Sequence, residues 1–156
     1  MKSRVIAVDP GYDRVGIAVM EKNTLLHSEC FIPKKGELSA RLFEVSERIT
    51  ALIHKYKPGA VALETLFFSK NQKTALKVAE ARGAISLTTS QSGIQLFEYS
   101  PQEVKIAVTG SGNADKTAIK KMVDRLVVLP QKKRLDDEYD AIALAIAHTA
   151  RHHFPS

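Results

Sequence analysis

The sequence predicts an α/β fold: a five-stranded mixed sheet, antiparallel at first and parallel later, flanked by helices. Three observations lead there. Three apolar, β-rich stretches crowd into residues 4–32, spaced for an antiparallel meander. Two later apolar runs, residues 60–64 and 94–99, follow segments with helical periodicity. A connection that crosses over a helix lays the next strand parallel to the sheet. No internal repeat, low-complexity segment or linker interrupts the chain, so residues 1–156 are read as a single domain.

The first strand covers about residues 4–9. Val5-Ile6-Ala7-Val8 is a buried run, Asp9 closes it, and Pro10-Gly11 turns the chain. A carboxylate at the mouth of a buried strand is costly to desolvate unless a positive charge shares the site. Gly11, with no side chain, is expected to let a ligand approach the backbone. Residues 15–20 form the second strand, Asn23 lies in a hairpin turn, and residues 25–32 form the third. Leu42, Val45, Ile49, Leu52, Ile53 and Tyr56 recur at helical spacing over residues 39–56, and Lys57-Pro58-Gly59 stops that helix. The fourth strand, residues 60–64, also ends in a carboxylate, Glu64. If it is the parallel neighbour of the first, Asp9 and Glu64 emerge at one carboxyl edge, where open α/β sheets place their sites.

A helix over residues 71–88 carries Ala75, Leu76, Ala79 and Gly83, a stripe small enough for close helix packing. Strand five spans residues 94–99. Ser100-Pro101-Gln102-Glu103 is a capping box with proline at the first helical position, opening a short helix to about residue 108. After a Gly-rich loop, Ile119, Met122, Val123 and Leu126 share one helical face, with Pro130 as the expected stop. Asp136-Asp137-Glu138-Tyr139-Asp140 opens the last helix, whose continuation over 141–150 is almost wholly apolar and so buried.

Totals narrow the function classes. The chain is 44% hydrophobic and 26% charged, ordinary for a globular protein. It has no apolar run near the ~20 residues of a membrane span and no signal-peptide pattern. A lone cysteine, Cys30, excludes an intrachain disulfide and fits a cytoplasmic setting; its strand-like surroundings predict a buried thiol. A formal charge of +6 favours a polyanionic partner, nucleic acid first.

Against that basic background, Asp9, Glu64, Asp137 and Asp140 converge. Asp137 and Asp140 stand at i and i+3 near a helix start, on one face. An acidic first turn also caps a helix, but Asp140 is followed at once by a buried run. Asp136 and Glu138 are the alternatives to Asp137. Four gathered carboxylates repel one another unless cations bind, and hard oxygen donors select Mg²⁺, with Mn²⁺ as a substitute. Two such ions ~4 Å apart stabilise the attacking and leaving oxygens of an in-line phosphoryl displacement. Carboxylates on two strands and a C-terminal helix therefore form a plausible nuclease site.

Asp9-Pro10-Gly11, Ala62-Leu63-Glu64 followed by Phe67, Ala79-Glu80-Ala81-Arg82-Gly83, Val104-Lys105 and Asp137-x-x-Asp140-Ala141-x-Ala143-x-Ala145 together resemble the RuvC family of bacterial Holliday junction resolvases. The motifs run in order along nearly the whole chain. The resemblance implies a ribonuclease H-like fold and a homodimer that nicks opposed strands of a four-way DNA junction, leaving 5′-phosphate ends in recombination and repair. It makes Asp9, Glu64, Asp137 and Asp140 the metal-binding catalytic acids. It also implies a branch-migration helicase complex as partner. Lys105 and Lys116 fall where the family has basic residues near the scissile phosphate, and Phe67 where it has a base-stacking aromatic; adjacent Lys70 is expected on the DNA path. Helix 71–88 resembles the family's dimer helix. Asp13-Arg14 bears a fainter similarity to the YqgF family, an RNA-processing alternative, and a junction-binding protein without cleavage is the non-enzymatic one.

Two further signals carry less. Gly110-x₄-Asp115-Lys116-Thr117 nearly spells a phosphate loop, but a carboxylate at the last glycine position repels phosphate, so it reads as a loop entering a helix. His148 lies ~12 Å along its helix from Asp140, too far to share an ion.

Overall fold

The computed structural model describes residues 3–65, 71–130 and 132–152. The expectations for Phe67 and Lys70 fall outside them. Five strands, β1 (Arg4–Asp9), β2 (Val15–Glu21), β3 (Thr24–Phe31), β4 (Ala60–Glu64) and β5 (Gln95–Tyr99), form one sheet in the order β3-β2-β1-β4-β5. Strands β1, β2 and β3 pair antiparallel, and β4 lies parallel to both β1 and β5. The expected mixed sheet is therefore present, with β1 at its centre. None of the described helices is long and apolar enough to cross a membrane.

Strand alternation splits the core in two. Ile6 and Val8 of β1 join Ile17, Val61 and Leu63 on the face covered by α1 (Leu38–Tyr56), through Val45, Ile49 and Leu52, and by α2 (Gln72–Gln91), through Ile85. Val5 and Ala7 face the other way, with Ala18, Ala60 and Ala62. That face carries α5 (Asp136–Arg151), which is buried from Ala141 through His148. Alanines on both the sheet and the helix bring the two backbones close. Helices α3 (Pro101–Thr109) and α4 (Lys116–Leu126) pack outside α5, which explains why α5 is apolar all round.

The capping box at the start of α3 is formed: the Glu103 amide donates to Ser100 Oγ at 3.1 Å and the Ser100 amide to Glu103 Oε1 at 3.3 Å. Asp115, which spoils the phosphate-loop pattern, is the N-cap of α4, accepting from the Ala118 amide at 2.8 Å.

Three expectations need correction. Helix α2 runs to Gln91 rather than 88, because the Thr88 and Thr89 hydroxyls donate to the Ala84 and Ile85 carbonyls and satisfy themselves within the helix. Helix α4 stops at Leu126, before Pro130: Val127 is extended, and Val128 bridges to Thr24 at the sheet edge, as β-branched residues favour. Gly11 leaves its space to the chain itself. A Cβ there would fall 2.0 Å from the Arg14 carbonyl oxygen, so the glycine closes the β1–β2 turn rather than opening a ligand path.

Candidate metal and nucleic-acid site

Register brings the acids together. β1 and β4 are parallel neighbours, with Val8 opposite Leu63, so Asp9 and Glu64 follow side by side at the carboxyl edge. On the other flank, Asp9 pairs with Gly16 of β2, and Gly16 pairs with Cys30 of β3. The first turn of α5 descends onto Gly16, where a Cβ would lie 2.1 Å from the Asp137 carbonyl oxygen. Only glycine allows this seating, and it carries Asp137 and Asp140 to the edge beside Asp9.

Carboxylate oxygens of Asp9, Asp137 and Asp140 lie within 4.8 Å of one another, on half-buried residues, close enough to share a cation. Glu64 lies outside this trio, and its charge acts on Asp9 from the neighbouring strand. Burial, then the charges of Glu64, Asp140 and Asp137, push the Asp9 carboxyl up to about 8. Burial and the Asp140 charge push Glu64 up to about 7, against the opposing pull of the Asp9 hydrogen bond and Lys105. Burial also raises Asp140, although Lys116 counteracts it. Without a metal ion, the cluster retains protons near neutral pH; a hard divalent ion would replace them, and the all-oxygen donor set suits one.

The three consecutive acids opening α5 separate cleanly. Asp137 enters the cluster. Asp136 turns to α4, 2.7 Å from Lys120 Nζ and 3.6 Å from Lys116 Nζ, which hold its carboxyl below the usual range. Glu138 is buried, with Lys132 Nζ 3.4 Å from its carboxylate.

A cleft of about 410 Å³ opens from Glu64 and Asp140 between α3, α4 and α5, with Lys105, Lys116 and Lys120 among its lining residues. Lys105 sits beside Glu64, whereas Lys116 is largely exposed at the rim. This strip of positive charge next to a negative edge could hold a phosphate backbone against the acids.

Cys30 is half-buried rather than buried, and its thiol donates to Asp137 Oδ2 at 3.6 Å. The same oxygen receives Arg14 Nη2 at 2.6 Å. Sequence reasoning gave Arg14 no place in the site. Its position was readable, since a residue in the short turn joining Asp9 to its register partner Gly16 must stay above the carboxyl edge. His148 takes no part in the acidic cluster, as its spacing suggested; it is packed, with its Nδ1 2.8 Å from the Tyr99 hydroxyl.

Comparison with known proteins supplies a family for the chain. A model of the family described as crossover junction endodeoxyribonuclease RuvC matches residues 5–148. The protein of that name from Thermosipho melanesiensis is 41% identical over 147 residues, covering 91% of this chain and 94% of the relative. Its namesake from Roseiflexus sp. is 43% identical over 152 residues, covering 94% and 90%. Among solved structures, RuvC of T. thermophilus in complex with a Holliday junction substrate superposes with a TM-score of 0.88 at 30% identity, covering 96% of this chain and 94% of that one.

Proposed function

We infer the function of this chain from its family and its acidic edge: it belongs to the RuvC family of crossover junction endodeoxyribonucleases, and we propose that it resolves four-way DNA junctions by metal-dependent hydrolysis. The reaction places paired, symmetric nicks in opposed strands and leaves 5′-phosphate ends. One observation carries the reading: Asp9, Asp137 and Asp140 converge within 4.8 Å beside a lysine-lined cleft in a chain of this family.

Asp9, Glu64, Asp137 and Asp140 are the catalytic acids and the ligands of Mg²⁺, with Mn²⁺ as a substitute and two ions per site. The metal, when bound, supplies Lewis-acid stabilisation of the phosphate and a nucleophilic water at neutral pH. The chain's own side chains do the rest. Asp9 lies between Glu64 and the α5 pair and anchors both halves of the centre. Lys105, beside Glu64, holds the phosphate oxygens next to the acids, and Lys116 guides the backbone along the rim. Phe67 stacks on a base at the opened junction, and Lys70 contacts the adjacent backbone. The protein acts as a homodimer in the cytoplasm, alongside a branch-migration helicase complex.

The test is cleavage of an end-labelled mobile four-way junction with Mg²⁺, Mn²⁺ or EDTA. Paired nicks that require metal and spare linear duplex are expected. Glu64→Gln should bind the junction as the parent does and lose at least 10²-fold in cutting, the scale of losing a preorganised catalytic group. Tight binding without cleavage under either ion would overturn the enzymatic reading and leave a junction-binding protein; cleavage of RNA alone would point to RNA processing instead.

A further inference from the structure

The acidic centre contains a cation of its own. Arg14 Nη2 lies 2.6 Å from Asp137 Oδ2, and that carboxylate belongs to the triad whose oxygens approach within 4.8 Å. The turn is built to deliver it, since Gly11 makes room for the Arg14 carbonyl and so folds the chain back over the carboxyl edge. The guanidinium cannot shed its charge near neutral pH, so it leaves the carboxylate only by moving. Half of the Arg14 side chain is exposed, which leaves it room to do so.

We propose that Arg14 is a resident counter-cation of the acidic centre, neutralising Asp137 until a divalent ion displaces it. This rests on reading the acids as a metal site. The arginine offsets carboxylate repulsion in the metal-free protein. It also lowers affinity for divalent ions, because a guanidinium near the site opposes a second cation. Arg14 is thus a positioning residue that sets how much free metal the site needs before it fills.

The experiment is Mn²⁺ binding without DNA, by isothermal titration calorimetry and by electron paramagnetic resonance of the free ion. The proteins are the parent, Arg14→Gln, Arg14→Lys, Asp137→Asn and the Arg14→Gln/Asp137→Asn double variant. Arg14→Gln should bind Mn²⁺ about tenfold more tightly, the scale of removing a unit charge some 5 Å from a divalent ion in a water-like medium. Arg14→Lys should stay near the parent, and the Arg14→Gln effect should shrink below about twofold when Asp137 is asparagine. Arg14→Gln should also melt lower than the parent in EDTA, with the gap closing at saturating Mn²⁺. In the parent, the Arg14 Nε–H resonance should move on titration with Mg²⁺, a readout independent of any variant's folding. Equal or weaker Mn²⁺ affinity in folded Arg14→Gln, the same effect in the Asp137→Asn background, or an unmoved Nε–H signal would each overturn the proposal. Failure of the parent to bind Mn²⁺ would instead overturn the metal-site reading, and this inference with it.

Discussion

Asp9 is held where burial and like charge act in the same direction, and both penalise its ionised form. The consequence is a sign that differs from that of most carboxylates. A half-buried but well-paired acid such as Glu29, which overcomes the cost of burial and is drawn down to about 2 by His27 and Arg48, lends stability throughout the neutral range. Asp9 and Glu64 have folded pKa values near 8 and 7, above those of the unfolded chain. The folded state therefore binds more protons than the unfolded one, and stability falls as pH rises through that window. Below about pH 6.5 a second group intervenes: burial depresses His148 to about 4, so its contribution is lost as pH falls from 6.5 toward 4. Between pH 6.5 and 8.5 the carboxylates dominate the trend. In EDTA the melting temperature should fall by several degrees across that interval, and Asp9→Asn should flatten the fall. Adding Mg²⁺ should reverse the trend, because metal and protons compete for the same oxygens. A metal-free melting temperature that rises between pH 6.5 and 8.5 would contradict the shared-proton description of the cluster.

At the scale of elements, the site depends on how closely α5 approaches the sheet. Gly16 is the contact point, since a methyl group there would overlap the Asp137 carbonyl. Gly16→Ala should lift the first turn of α5, cost about 1–3 kcal/mol by overpacking, and move Asp137 out of reach of Asp9. Urea unfolding and Mn²⁺ affinity should both register the change, whereas Gly83→Ala on α2, with open space around its Cβ position, should leave Mn²⁺ affinity alone. This level of structure was only partly legible in the sequence. Apolar runs ending in Asp9 and Glu64 announced two strands with acids at one edge, because alternation and crossover rules act on neighbouring residues and leave few topologies. The i, i+3 spacing singled out Asp137 from its acidic neighbours. Its ion pair with Arg14 was hidden, because that pair depends on a turn folding over Gly11 and on α5 arriving from more than a hundred residues away. The early end of α4 was hidden for a similar reason: Val128 is drawn to the β3 edge at Thr24, a partner that helical periodicity cannot report. Cys30 read as buried because its strand is apolar, yet pairing placed it next to Gly16, at the rim of the acidic edge.

At the scale of the whole molecule, the described residues of one chain form one acidic centre, and symmetric nicking of a four-way junction needs two. The expected dimer helix, α2, has an outward face suited to supplying the second. Leu76 and Leu87 are 68% and 60% exposed, and the Cβ position of Gly83 between them meets no atom within 4 Å. Their spacings of seven and four residues put all three on one stripe. The inner face of the same helix is buried at Ala81, Ile85 and Thr88, and the Thr88–Ser46 hydroxyl pair at 2.7 Å ties it to α1, so the outer stripe is surplus to the monomer's core. A glycine between two leucines leaves room for a second helix to approach closely there. Leu76→Glu places a charge in that contact, where desolvation without a partner is costly. By sedimentation velocity the parent should run as a dimer and Leu76→Glu as a monomer, with little change in the helix content of the fold. On a labelled junction the variant should still nick with Mg²⁺, because each acidic centre lies within one chain, but the two cuts should become uncoupled and single nicks should accumulate. Paired cuts by a monomeric variant would show that symmetry comes from elsewhere, and a Leu76→Glu protein that remains dimeric would move the interface off α2.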